Sequence, residues 1–279
     1  IRYWERGPHI RLRLKGQPSA LQNHVKPALE ATFTDYFTKY PSERPSPETS
    51  PPVPAEQTWL PNNSVQFIAY EPEIDRYGGP TGIEIAEKHF QSSSRAVLAA
   101  LTTDEWAYEK ALATAIQMHL SFAHAFGFSL TETAAFFTYF SDAWFPAAVH
   151  ATQGLEQSEE ALKQRLQKAF SDAFDKQATT LLSLHESLWL GLTAGATFST
   201  SWFNHWLPEV QDVAKRLTTA NKKDALTVPS RTEKQEQLLW PILISYVHMT
   251  NNRLGILNLD EAFLGYILSR CTRQLSGTG

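Results

Sequence analysis

Three short runs of this sequence gather the side chains that grip anions and move protons. The first is IRYWERGPHIRLRLKG at residues 1–16, where His9, Arg11, Arg13 and Lys15 alternate with Ile10, Leu12 and Leu14. Period-two alternation is the pattern of a strand with one polar face, and it predicts a strand over 9–15 whose apolar set faces a core. Arg11 and Arg13 then share a face, roughly 7 Å apart at about 3.3 Å per residue. Guanidinium groups fork onto carboxylates or phosphates, so two on one face suit a doubly charged ligand. The alternative is a solvated polar face on an antiparallel sheet. His9 beside these cations is a candidate ligand contact, because the crowded positive charge calls for a carboxylate partner or an anionic ligand.

The second run is YEPEIDRYGG at residues 70–79, where Glu73 and Arg76 stand three apart beside a glycine turn. It reads either as a local ion pair that organises the turn, of small value to stability, or as two groups at the rim of a site. The third is SYVHMTNNRLGI at residues 245–256. On a helix His248 and Asn252 share a face, and Arg253 points roughly 140° away from His248 at 100° per residue. His248 is either a satisfied core histidine or a general acid or base, since the reference pKa near 6.5 allows both roles.

Other chemistries leave no trace. The sequence holds no HExxH, no P-loop, no dinucleotide glycine pattern and no G-x-S-x-G. His119 and His124 are five apart, a poor spacing for a shared metal on one helix face. The single cysteine, Cys271, forbids an intrachain disulfide, which suits a reducing, cytoplasmic setting. A net charge of -4 argues against broad nucleic-acid or membrane-surface binding. The richest apolar stretch, 134–148, is interrupted by Asp142 and Pro146 and is too short to span a bilayer.

The elements that would position these residues follow from periodicity. Leu21, Val25, Leu29, Phe33 and Phe37 recur every four residues, predicting a helix over 19–40. Residues 41–63 hold seven of the chain's 16 prolines and few core formers, the composition of an extended surface loop. A second strand is expected in SVQFIAYEPE (64–73). From residue 102 onward the chain reads as helices. Thr103 to Glu105 give one helix start, Ser129 and Glu132 form a capping box, and 157–190 is a long amphipathic stretch. Pro208 limits the start of another helix, and Pro241 marks a kink in 233–256. Strands first and helices afterwards make an α+β fold: a small antiparallel sheet from the N-terminal part packed against a predominantly helical C-terminal part, in one domain over 1–279. The tryptophans are scattered and read as core, and Cys271 reads as an inert helix residue. The chain starts inside a strand-like run, so residues upstream are expected.

Taken in order, IRYWERGPHIRLRLKG, AYEPEIDRYGG and HMTNNRLGI resemble the thiopeptide-type bacteriocin biosynthesis domain, which is also the C-terminal, glutamate-elimination domain of lantibiotic dehydratases. The resemblance covers nearly the whole chain. It implies an enzyme that matures a ribosomally made precursor peptide of leader and core. In the elimination branch a separate glutamyl-tRNA-dependent ligase esterifies Ser or Thr with glutamate. The elimination domain then removes the α-proton and expels glutamate, leaving dehydroalanine or dehydrobutyrine. The family's arginines, glutamate and late histidine fall on Arg11, Arg13, Glu73, Arg76 and His248, with His9, Asn252 and Arg253 as peptide-binding candidates. The resemblance also admits a formal [4+2] cycloaddition that joins two dehydroalanines into a pyridine and expels the leader. A non-catalytic scaffold that grips the leader along a sheet edge is the third reading. No metal or redox cofactor is required by these readings, no direct nucleic-acid or membrane contact is implied, and a homodimer is allowed. The site is expected in a cleft between the sheet and the helical layer.

Overall fold

The computed structural model describes residues 1–3, 6–44, 59–102, 106–151, 158–228 and 237–277. The chain divides into two compact units, Ile1–Pro72 and Glu73–Gly279.

In the first unit β1 (Arg2–Tyr3) pairs antiparallel with β2 (His9–Ile10), Arg2 opposite Ile10 and Tyr3 opposite His9. The ribbon is closed by a backbone bond from Arg11 N to the Ile1 carbonyl at 2.8 Å. The expected strand over 9–15 therefore ends at Ile10, and 64–73 carries no strand. Ile10, Leu12 and Leu14 are 77%, 56% and 51% exposed, the reverse of the core-facing placement their alternation suggests. Alternation gives a strand one apolar face, but a two-stranded ribbon of two residues each supplies no layer to cover it. The cationic side chains are engaged locally. Arg11 Nε donates to His9 Nε2 at 3.0 Å while its guanidinium lies over the Tyr3 ring, and the Arg13 guanidinium lies over Tyr70.

The helix expected over 19–40 is present in three joined pieces: α1 (Pro18–Ala20), a π-helical turn (Leu21–Val25) and α2 (Lys26–Lys39). Pro27 explains the wide turn. It has no N–H for the Asn23 carbonyl and its ring crowds that carbonyl, so the preceding turn opens. No residue of this helix is buried: Leu21, Val25, Leu29 and Phe37 are half-buried and Phe33 is exposed. Of the proline-rich stretch, residues 45–58 lie outside the described residues, as do Trp4, Glu5 and the expected helix start at Thr103 to Glu105.

The second unit opens with a 3-10 turn (Asp75–Tyr77) and continues through α3 (Gly79–Leu101), α4 (Tyr108–Ala125), α5 (Leu130–Ala151), α6 (Glu159–Asp175), α7 (Ala178–Thr193), α8 (Ser201–Lys222), α9 (Trp240–Leu254) and α10 (Asn258–Leu275). Among the described residues the fold is thus mostly helical, and the strand component of the α+β class shrinks to one small ribbon. Helix α3 packs on α8 and α9, and α4 on α8, α7 and α9. Between them lies an aromatic core of Tyr77, Phe90, Phe122, Trp206 and Tyr246 around the buried His89. Among the described residues no helix is long and apolar enough to cross a membrane.

Several expectations meet their outcomes here. Ser129 and Glu132 form the expected capping box: Glu132 Oε2 accepts from Ser129 N at 2.8 Å, and Ser129 Oγ accepts from Glu132 N at 3.2 Å. Of the stretch 157–190, Gln157 lies outside the described residues and the rest holds two helices broken at Lys176–Gln177, where Gln177 leaves helical geometry (φ -123, ψ 5) without any glycine or proline to announce it. Pro208 sits inside α8 rather than at its start. Pro241 lies in the first turn of α9, where a missing N–H costs nothing, so it begins the helix instead of kinking it. Residues 233–236 of that expected helix lie outside the described residues. Trp202, Trp206 and Trp240 are core, and Cys271 is buried with its thiol pushed up to about 12 by desolvation.

Helices α5 and α10 pack closely against one another, and Gly265 permits it. A Cβ there would stand 2.9 Å from Phe140 Cδ1, 3.0 Å from Ser141 N and 3.1 Å from Phe137 O. Ser141 Oγ donates across the same crossing to the Ala262 carbonyl at 2.9 Å. We expect Gly265→Ala to destabilise the protein by a net ~1 kcal/mol or more, overpacking outweighing the better helix propensity of alanine. A denaturant midpoint equal to or above that of the parent would refute this.

Candidate functional site

Helix α9 is the backbone of the site. It is free of glycine and proline beyond its first turn and ends at Gly255, whose left-handed φ of 82° lets Ile256 N bond the Asn251 carbonyl at 3.0 Å. Ile242, Leu243, Tyr246, Val247 and Met249 are buried, which fixes the helix in the core. Ser245 and His248, three residues apart, lie along one side of it.

The 3-10 turn delivers Arg76 to that side. Tyr77 is buried at 2% exposure, edge-on to both Phe90 and Tyr246, and so anchors the turn. Gly82 lets α3 rise directly from it: a Cβ at that position would stand 1.8 Å from the Tyr77 carbonyl oxygen. With the turn held, Arg76 Nε donates to Ser245 Oγ at 3.2 Å and Nη1 to Glu73 Oε2 at 3.0 Å. Both members of the Arg76–Glu73 pair are more than a third exposed, so the pair orients the guanidinium more than it stabilises the fold.

His248 is gripped from two sides. Its ring stacks on Trp144 of α5, centroids 4.3 Å apart and planes 20° apart. Its Nδ1 lies 3.0 Å from each carboxylate oxygen of Glu261, in the first turn of α10. The His248 side chain keeps 18% of its surface exposed while Glu261 keeps 1%. Burial pushes the Glu261 carboxyl above its ordinary value. His248, the Asn251 amide and the Arg76 charge pull it back. Asn251 Oδ1 is bonded at 2.7 Å to His119 Nε2 in the core, and its Nδ2 makes no full hydrogen bond. Desolvation lowers His119 to about 4, so it is a neutral ring. His89 is likewise held well below the usual value by burial and His185 falls to about 4.

Of the residues singled out by the sequence, Glu73, Arg76 and His248 thus belong to one cluster in the second unit. Arg253 is tied into helix packing: its Nε donates to Ser94 Oγ at 2.9 Å and its guanidinium lies over Phe90. Asn252 is half-buried beside it, and the neighbouring Asn251 is the asparagine that reaches Glu261. His9, Arg11 and Arg13 belong to the first unit, where His9 and Arg11 bond one another. Sequence reasoning missed Glu261, Trp144, Ser245 and Asn251. Glu261 alone left a signal: it follows His248 by 13 residues across a glycine-terminated helix end, a spacing that folds two helix ends together. A shallow depression lined by Trp106, Lys110, Gln117 and Trp202 shares no residue with the cluster.

The chemistry available is proton exchange at His248 beside a cation that can polarise a carbonyl oxygen. The His248–Glu261 pair also sets a pH dependence. A carboxyl whose folded pKa is raised favours the native state while it is protonated, and loses that contribution as pH rises through the raised value. His248 offsets this by pairing with the charged form. We expect His248→Phe, which keeps an aromatic ring on Trp144 but strands Glu261, to cost roughly 3–5 kcal/mol at neutral pH. The cost should shrink toward about pH 4, where Glu261 is protonated in both states. Equal destabilisation at both pH values by denaturant titration would contradict the pairing.

Residues 1–272 match the family described as lantibiotic biosynthesis dehydratase C-term. No curated protein matches the chain. Among solved structures, a pyridine synthase, TbtD, from thiomuracin biosynthesis is similar with a TM-score of 0.74 at 15% sequence identity, over 100% of this chain and 87% of that one. At that identity the likeness speaks to the fold, and the family match over nearly all residues speaks to descent. The chain belongs to the lantibiotic dehydratase C-terminal family.

Proposed function

We propose that this protein matures a ribosomally made peptide by formal [4+2] cycloaddition of two dehydroalanines, with His248 moving the proton and Arg76 polarising the reacting amide. One dehydroalanine is the two-carbon partner. The other, with its adjoining amide in the iminol form, is the four-atom azadiene. Two bonds close a six-membered ring. Loss of water from the former amide carbon, and of the leader as its C-terminal amide, leaves a pyridine with no net oxidation. The proton that shifts from amide nitrogen to oxygen is the one a partly exposed histidine can carry.

The observation that carries this reading over elimination is the occupancy of Arg76. Its Nη1 already serves Glu73 and its Nε serves Ser245. Its remaining N–H groups suit a neutral amide oxygen better than a departing glutamate, whose carboxylate would meet Glu73 at close quarters. The likeness of the whole chain to a pyridine synthase supports the same choice. Elimination is the second reading, favoured by the presence of Glu73, Arg76 and His248 in one cluster. It needs a separate ligase to supply the glutamyl ester.

Two synthetic peptides with the same leader decide between them: a linear peptide with two dehydroalanines, and one bearing a glutamylated serine. Mass spectrometry should show the first consumed with release of the leader amide and the second unchanged. Loss of glutamic acid from the second peptide would instead establish elimination. Arg76→Gln and His248→Phe should each lower turnover by ~10²–10⁴-fold while peptide binding persists. Turnover unaffected by His248→Phe would take the proton transfer away from His248, and binding of both peptides with turnover of neither by the parent protein would leave only a scaffold.

A further inference from the structure

We propose that Glu261 is the positioning residue of this site: it holds the proton of neutral His248 on Nδ1, so that Nε2 is the nitrogen that exchanges protons with the peptide. The inference rests on His248 being the proton carrier and names what makes it one. Both Glu261 oxygens lie 3.0 Å from Nδ1, and an ionised carboxylate can only accept. The Nδ1–H tautomer is therefore the one that bonds. Free imidazole favours the other tautomer only slightly, and a buried acceptor easily overrides that preference.

The surroundings of Glu261 keep it an acceptor. Every polar group known to act on it is a donor or a cation: His248 and the Asn251 amide from α9, and Arg76 from the 3-10 turn. Asn251 Oδ1 lies 2.7 Å from His119 Nε2 of α4, and an amide oxygen accepts, so in this arrangement Nε2 carries the hydrogen of the His119 ring. The Asn251 NH₂ is thereby directed to the carboxylate side. Trp144 then fixes the plane of the His248 ring by stacking, and the Glu261 carboxylate holds the Nδ1 edge of that ring. A proton taken at Nε2 makes an imidazolium next to a buried carboxylate, which is where a transient positive charge is best supported.

The test is Glu261→Gln, with Glu261→Asp as the conservative variant. A carboxamide at 261 cannot accept on both sides. Both atoms of that carboxamide stand within reach of Nδ1, and the arrangement that leaves its oxygen to the donors Arg76 and Asn251 sets its NH₂ on Nδ1 of His248, which must then give up its hydrogen. Nitrogen-15 shifts of the His248 ring in the free protein, measured roughly two units above the reference histidine pKa of about 6.5, read the tautomer without any substrate. The wild-type protein should show the proton on Nδ1, Glu261→Gln should show it on Nε2, and Glu261→Asp should restore Nδ1. Turnover of the bis-dehydroalanine peptide should fall ~10²-fold or more in Glu261→Gln and recover in part in Glu261→Asp. A wild-type tautomer on Nε2, or an unchanged one in Glu261→Gln, overturns the inference whatever the turnover. Failure of the proposed reaction is a different result: shifted tautomers as expected, with no variant altering consumption of the peptide.

Discussion

A buried carboxylate must be answered by its neighbours, and Glu261 imposes that demand on half of the helical unit. Taking a carboxylate out of water costs several kcal/mol even after relaxation, and only close positive or donating groups return it. Those groups come from separate pieces of chain: His248 and Asn251 from α9, and Arg76 from the turn before α3. Each piece is held by its own packing. Tyr77 is pinned in the aromatic core, α9 is sunk through Tyr246 and Val247, and α10 is pressed on α5 at Gly265. The same crossing carries Trp144 to the far face of the His248 ring. The site is therefore not an addition to a finished fold. The helix contacts that build the core are the ones that bring its members together.

Burial also sorts the histidines of this unit. His89, His119 and His185 are enclosed, and desolvation lowers all three. They act as neutral hydrogen-bonding rings, tied to Thr250, Asn251 and Thr272. His248 differs in two respects at once. Part of its ring meets solvent, and its other side meets a carboxylate. A proton carrier needs both: a route for the proton, and a partner that tolerates the charged ring.

The sequence made the helical part of the fold legible because helical periodicity and capping are local properties. Ser129 and Glu132 could be paired by spacing alone, and the helix from residue 19 by its four-residue recurrence. The strands were misjudged because an alternating run says which faces differ, not whether a neighbouring strand exists to pair with it. Pro208 and Pro241 carry the opposite error: one is expected to limit the start of a helix and the other to kink one, and each is accommodated, one inside a long helix and one in a first turn that has no N–H to lose. At the site, Glu73, Arg76 and His248 were visible as residue types in short motifs. Trp144 and Ser245 were not, since a stacking tryptophan or a serine that orients an arginine looks like any other until helices are packed. Glu261 lay between the two cases, reachable only by folding the chain back at Gly255.

Under the proposed function, the same arrangement of residues would suit elimination or cycloaddition. Both begin with a proton moving at a peptide unit and with charge gathering on its amide oxygen, so both need an imidazole and a guanidinium in fixed relation. The two diverge at the leaving group. Expulsion of glutamate asks for cations ready to receive a dicarboxylate. Expulsion of a leader as its amide asks for none, only for a proton returned to nitrogen. At Arg76 the carboxylate place is already filled by Glu73 from within the chain. An internal carboxylate three residues away is always present, whereas a substrate carboxylate must displace it and endure its repulsion. Under the proposed function, that local competition favours a neutral oxygen at the guanidinium, and the choice between reactions would lie with Glu73 rather than with the histidine that both would use.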